Sequence, residues 1–306
     1  MKEWYSKKRP TDLMHCKRQD YNCPDISINL FIVGFVSTSI QLLLMREIMN
    51  LSGGYELMTG IFLGSWLTAS AGGSALAGRT CLNDLRIINL VFSLGPLLSV
   101  LLFVLLAGMM TLPGETPDFL KSLVLTFLML LPVCFSTGYT FIKLTAYAVT
   151  NNDYKPGKSF SIETGGAIIA GIILSVLTSG ILNTGQILVV ILITSPAYTL
   201  LTYFPGSRLK NNVIKSVVVI IVAALLIIQP HILLRQVLMP GIKIKDTRDT
   251  PYGNITRGIY GDEESIYYNQ RLLSYSDDAM EREENIHYAL LQVENLVKTY
   301  PGVRAV

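Results

Sequence analysis

Ser159-Phe160-Ser161-Ile162-Glu163-Thr164-Gly165-Gly166-Ala167-Ile168-Ile169-Ala170-Gly171-Ile172-Ile173-Leu174-Ser175-Val176-Leu177 is the stretch that decides what kind of protein this is. Beyond Glu163 it carries no charge, and its residues are either large aliphatic or very small. With its flanks it fills roughly 160–182, and about 20 apolar residues in succession cross the hydrocarbon core of a bilayer. The small residues Gly166, Ala170 and Gly171, with Ser175 beyond them, recur at four-residue spacing on one helical face. Helices in lipid associate through close backbone approach, so this stripe predicts a helix–helix seam. A permeation path lined by small residues is the alternative the same stripe allows.

Working outward, the rest of the chain repeats the pattern. Half of the 306 residues are hydrophobic, only 15% are charged and the mean hydropathy is +0.44, whereas a soluble domain carries about 25% charged residues. Six further segments have the length and apolarity of a span, at roughly 28–45, 56–77, 87–110, 119–142, 186–204 and 213–234. The expected fold is therefore an all-α polytopic membrane bundle of about seven transmembrane helices. The apolar run of the fourth segment continues to Val149, and Pro132 inside it is expected to kink or break the helix. The second segment carries Gly60 and Gly64, then Ala71-Gly72-Gly73-Ser74-Ala75, a second expected packing seam. The basic stretch before the first segment resembles a signal peptide's n-region, but the segment is too long for an h-region and has no small-residue cleavage site, so it reads as an uncleaved span.

Charge divides the chain and orients it. Residues 1–230 hold 16 Lys/Arg and 11 Asp/Glu, and residues 231–306 hold 9 and 11, which marks a boundary near Pro230–Gly241. Three parts follow: a basic arm at 1–27, a multi-span domain at 28–238 and a charge-dense tail at 241–306. The arm carries six Lys/Arg, and the loops after the second, fourth and sixth segments are basic, whereas the intervening loops hold little beyond Arg46 and Lys121. The positive-inside rule places the amino terminus in the cytoplasm of a cell (inner) membrane. Arg235, Lys243 and Lys245 pull the other way, so the side on which the tail lies stays open.

Ionisable residues inside apolar segments are the usual pointer to transport. Here they are Arg46, Glu47, Glu56, Lys143 and Glu163, all within a turn or two of a segment end, where long side chains reach the interface. Arg46 and Glu47 also read as a local ion pair that ends the first helix. The four cysteines and three histidines form no cluster with metal-ligand spacing, so no metal is expected.

In the tail the hydrophobic period changes from helical to alternating. Asn254–Tyr260 and Ser265–Tyr268 flank the polar turn at 261–264, and Asn269-Gln270-Arg271 leads into 272–275. This predicts a small antiparallel meander. Asp277-Asp278 then caps an amphipathic helix with Ile286, Leu290, Val293 and Val297 on one face, closed by Pro301. So small a unit needs something to pack against.

These residues, in order, resemble a family. Asp249-Thr250-Pro251-Tyr252, Ile266-Tyr267-Tyr268-Asn269 and Glu283-Glu284-Asn285-Ile286-His287-Tyr288 follow the arrangement of the polyamine aminopropyltransferases, the spermidine synthases, in the branch fused to a membrane domain. Gly34-Phe35-Val36-Ser37 with Gln41 and Arg46, Leu131-Pro132 with Gly138 and Phe141, and Glu163 to Gly171 are similar to that branch's spans. The resemblance implies that the tail leads into a Rossmann-like domain that binds decarboxylated S-adenosylmethionine at a glycine-rich turn, with a catalytic aspartate further on. Both would lie beyond Val306, so the resemblance implies a chain that is inactive alone and completed by a Rossmann-type catalytic domain in cis or in trans. Of the substrate-side residues it carries over His287 and Tyr252. The pattern is broken where Ile286 and Tyr288 flank the histidine, and where Gly253 stands for the family's glutamine. Asn269-Gln270 likewise replaces an Asn-Gly or Asp-Gly, which disfavours a tight type I′ turn. The competing reading is a non-enzymatic membrane protein, a transporter, anchor or scaffold with a vestigial soluble tail. The lipid bilayer is the expected partner in either case, and nucleic acid is not.

Overall fold

The computed structural model describes residues 25–275 apart from 81, 83, 111–116, 153, 180, 205–207, 228 and 229. Eight helices precede four strands: α1 (Ile26–Ser52), α2 (Glu56–Ala77), α3 (Leu85–Met110), α4 (Phe119–Asn151), α5 (Pro156–Thr178), α6 (Thr184–Tyr203), α7 (Arg208–Ile227), α8 (Pro230–Leu238), β1 (Lys243–Thr250), β2 (Gly253–Tyr260), β3 (Glu263–Tyr268) and β4 (Arg271–Tyr275). The chain is thus mostly helical with a small antiparallel sheet. Among the described residues five helices, α1, α3, α4, α5 and α6, are long and apolar enough to cross a membrane. That is fewer than the seven expected. The second apolar segment does form α2, but its Gly, Ser and Thr residues dilute its hydropathy. The seventh is divided between α7 and the short α8.

The large side chains that α3 and α5 turn outward are aliphatic, among them Leu97, Leu101 and Leu105 on α3 and Ile168, Ile172 and Val176 on α5. Water does not tolerate an apolar surface of that extent, and lipid does. The core lies where α1 and α4 meet their neighbours. Leu30, Ile40 and Leu44 of α1 and Leu125, Met129, Leu130 and Val133 of α4 are completely or almost completely buried there.

Helix bounds follow local chemistry. Asp25 caps α1 by accepting the Ser27 N–H at 3.0 Å, and Gly53 stops the helix in the left-handed conformation, φ 75°. The helix therefore runs two turns beyond the expected end at 45. Helix α4 is continuous through Pro132, so of the expected kink or break the break does not occur. The amide that follows, Val133 N–H, donates to Ser99 Oγ of α3 at 3.1 Å. A neighbouring hydroxyl thus satisfies a backbone group next to the proline, as buried membrane helices allow.

The closest helix contacts are at glycines. A Cβ built on Gly34 would overlap the Glu163 carbonyl, and one on Gly166 would overlap the Phe31 carbonyl, so α1 and α5 touch backbone to backbone from both sides. Gly73 and Gly138 do the same for α2 and α4, against the Phe135 and Ser70 carbonyls. Ala170 is fully buried in the α5 face. Gly60, Gly64 and Gly171 have open space where a side chain would stand, so the close seam of α2 falls further along the helix, at Gly73.

Contacts also sort the helix ends. Ser27 Oγ lies 2.8 Å from Tyr154 Oη, and Lys143 Nζ donates to the Thr80 carbonyl, so the start of α1, the end of α2 and the 143–154 region share one end of the bundle. The sheet sits at the other end, against the end of α1 and the start of α6. It is a meander in the order β1-β2-β3-β4, each pair antiparallel, with irregularities between Ile244 and Asp246 and between Ile266 and Tyr267. Strand β1 was not among the expected strands. Met239, Ile242, Ile244 and Tyr267 form a small second core with Ile232 of α8 beneath it.

Candidate functional site

Where the sheet meets the bundle, three charges are buried together. Glu47 of α1 is 0% exposed, Arg235 of α8 2% and Asp249 of β1 8%. Arg235 grips Glu47 with both terminal nitrogens, Nη2 donating to Oε1 at 2.9 Å and Nη1 in ion-pair contact with Oε2 at 2.8 Å. Its Nη2 also lies 3.9 Å from Asp249 Oδ1. The planar guanidinium suits such two-pronged contact in a way lysine cannot. Glu47 is therefore neither an interfacial anchor nor the partner of Arg46. The pair it makes spans 188 positions of sequence.

Asp249 is the hub. Its Oδ2 accepts the Thr184 N–H at 2.6 Å, at the first turn of α6, where a helix end favours negative charge. Its Oδ1 accepts from Asn254 Nδ2 at 2.8 Å, and its own N–H donates to Asn183 Oδ1 at 3.1 Å. Burial raises an aspartate and is the largest single influence here. Arg235, the Thr184 N–H and the Asn254 amide nonetheless hold Asp249 below its ordinary range. His231 opens α8 beside Gly185 of α6, where a Cβ would press on the histidine backbone. Burial lowers its imidazole against the opposing pull of Asp249 and Asp246.

The buried face of the sheet continues the polar network. Thr247 Oγ1 lies 3.0 Å from Thr256 Oγ1, and Asn254 donates to Thr247 Oγ1 at 2.9 Å and accepts from Thr256 at 2.7 Å. Asn269 accepts the Asn254 N–H on its side chain at 2.8 Å and returns its own N–H to the Asn254 carbonyl at 2.9 Å. This contact corrects the expectation for the Asn269-Gln270 turn. Both residues have positive φ, 49° and 62°, as a type I′ turn requires, and the two-residue loop forms without glycine. The bonds to Asn254 hold Asn269 in that conformation. Gly253 makes room for it, since a Cβ there would overlap Asn269 Oδ1 and the amide would have to shift. On the outer face Glu264 lies between Lys245 and Arg257, whose hydrogen bonds hold its carboxyl at about 2.

Beside the charge cluster is a cavity of about 430 Å³ between the end of α1, the end of α5 and the β1–β2 turn, with Arg46, Met49, Asn50, Leu174 and Tyr252 in its wall. Tyr252 is 89% exposed, at its rim. His287 lies outside the described residues, so it is not brought to Tyr252 by anything described here. Among the described residues no group of three or more His, Cys, Asp or Glu could hold a metal ion. Nor does any described strand lead into a glycine-rich turn and helix, the arrangement that would cradle decarboxylated S-adenosylmethionine. No step through that group is assigned to these residues.

Sequence reasoning missed the cluster because its members stand in three separate contexts. The available signal was an acid near the end of the first apolar segment and an arginine just after the last, since intramembrane charges pair by default. Set against protein families, curated proteins and solved structures, the chain matches none of them.

Proposed function

We propose that this chain is an integral membrane anchor that carries a small β-meander at one face of the bilayer and holds it in fixed orientation. The observation that carries this reading is the buried Glu47–Arg235–Asp249 cluster, which ties α1, α8, β1 and the start of α6 into one unit. A tethered domain joined only by a linker has no use for such a joint. In this reading α2 and α7 complete seven crossings. The basic arm faces the cytoplasm of a cell membrane, and the sheet lies on the opposite side. Support for that orientation is the alternation of Lys and Arg between loops.

The narrower reading is that the sheet begins a spermidine-synthase-like aminopropyltransferase, with its nucleoside-binding Rossmann-type domain supplied in cis or in trans. Its support is the order of residues from Asp249 to Tyr288. Transport has less behind it, because Glu47 and Lys143 are committed to Arg235 and to the Thr80 carbonyl.

Spin labels on α4 at Val149 and on the β2–β3 turn at Gly261 test the anchor. A single narrow distance distribution in nanodiscs is expected, broadening in Arg235→Met. A broad distribution in the unaltered chain would rule out a rigid platform. For the narrower reading, titration of the purified 306-residue chain with methylthioadenosine is expected to give no heat. Stoichiometric binding would mean that the nucleoside site lies within this chain and that the tail has been misread.

A further inference from the structure

The cavity beside the charge cluster is built differently from the cluster itself. In the cluster each charge meets its opposite. Arg46, one position before Glu47, has no ion pair among the described residues, and its single hydrogen bond runs from Nη2 to the Thr250 carbonyl. Its Nε is buried and has no hydrogen-bond partner among the described residues. One turn on, Asn50 is 2% exposed. Both side chains line the cavity. Among the described residues Arg46 is the one charged residue in that wall, so the cavity is electropositive and an anion complements it.

The rest of the wall gives the anion its carrier. Leu42, Leu43, Met45, Met49 and Leu174 are apolar, and Leu42 is also exposed on the outside of α1. The cavity therefore joins a polar pocket at the end of α1, the depth of lipid headgroups, to the apolar surface of the bundle. An anionic group on an aliphatic chain fits this sequence of surroundings.

We propose that the cavity binds the phosphate headgroup of an anionic phospholipid, with the Arg46 guanidinium answering the phosphate charge and an acyl chain lying along Leu42 and Met45. The lipid would brace the joint between α1, α5 and the β1–β2 turn.

The test is native mass spectrometry of the full chain released from nanodiscs that contain equal phosphatidylglycerol and phosphatidylcholine. One phosphatidylglycerol is expected to stay bound, retained about five- to tenfold over phosphatidylcholine. Arg46→Gln is expected to abolish that preference and Arg46→Lys to keep part of it. Ser175→Trp, which fills the cavity from α5 and leaves every charge in place, is expected to expel the lipid, and it decides the matter should Arg46→Gln fail to fold. Equal retention of both lipids, or a preference that survives Ser175→Trp, would overturn the proposal. Displacement of the phosphatidylglycerol by millimolar inorganic phosphate would overturn it too, by showing a site for free phosphate.

Discussion

The chain joins its parts in two unlike ways. Between α1 and α5, and again between α2 and α4, contact is made by removing side chains, so that Gly34, Gly166, Gly73 and Gly138 bring carbonyls against bare Cα positions. Between bundle and sheet, contact is made by Glu47, Arg235 and Asp249. In lipid there is no hydrophobic drive to press helices together, and close approach supplies the attraction. At the sheet junction four elements of different kinds must meet in one arrangement, and a charge with a single correct partner selects that arrangement. A seam can tolerate many small changes in register, whereas a buried ion pair tolerates few.

The largest expected effect breaks the second kind of joint. Glu47→Ala takes from Arg235 its closer carboxylate and leaves it only Asp249 at 3.9 Å, and should cost about 3–5 kcal/mol, measured by unfolding in mixed micelles. Glu47→Met with Arg235→Met and Asp249→Asn removes all three charges and should restore most of that stability while broadening the sheet's orientation in the spin-label experiment. Recovery of stability with orientation unchanged would show that the charges do not select the arrangement.

A smaller effect is expected at the seam. Gly166→Val should cost about 1–3 kcal/mol through overpacking against the Phe31 carbonyl, whereas Gly60→Val, which meets open space, should fall within about 0.5 kcal/mol of the parent. Equal losses at the two positions would mean that Gly60 has a neighbour of its own, such as a second copy of the chain.

Ser99→Ala removes the hydroxyl that receives the Val133 amide, and about 0.6 kcal/mol should be lost. Combined with Pro132→Ala, which removes the proline ring next to that amide, the loss should shrink, and additive losses would separate the two residues.

The mildest perturbation is acid. Asp249 sits below its ordinary value of 3.8, so its contribution is in place above that pH and is lost as pH falls through the folded value. His231, lowered from 6.5, adds a shallower loss that begins as pH drops past its unfolded value. Sheet orientation should therefore stay fixed from pH 8 to near 6.5 and loosen below. Asp249→Asn should remove the acid limb and His231→Gln the milder one. A loosening that persists in the double variant would place the sensitive group elsewhere.

Sequence carried the helices well and the joint poorly. Length and apolarity are local properties, so the bounds of α2 and α3 could be read within a residue or two. Pro132 misled because the remedy, Ser99, lies 34 residues away on another helix. Strand β1 was invisible because Lys243-Ile244-Lys245-Asp246-Thr247-Arg248-Asp249-Thr250 buries Thr247 and Asp249 where a strand is expected to bury aliphatics. Those polar groups are acceptable only because Thr256, Asn254 and Thr184 receive them. The Asn269-Gln270 turn failed for the same reason, since local preference yielded to a bond with Asn254. For the candidate site, each charge was legible as a residue, and none as a member of a cluster.

The Glu47–Arg235 pair also sets a timetable. Its two halves are 188 positions apart, and at about 5–20 residues per second of synthesis the carboxylate emerges roughly 10–40 seconds before its arginine. Until then an ionised Glu47 has no Arg235 to pair with, and burying its charge alone carries the full desolvation cost. The carboxyl end of α1 thus gains its partner only when α8 has been made.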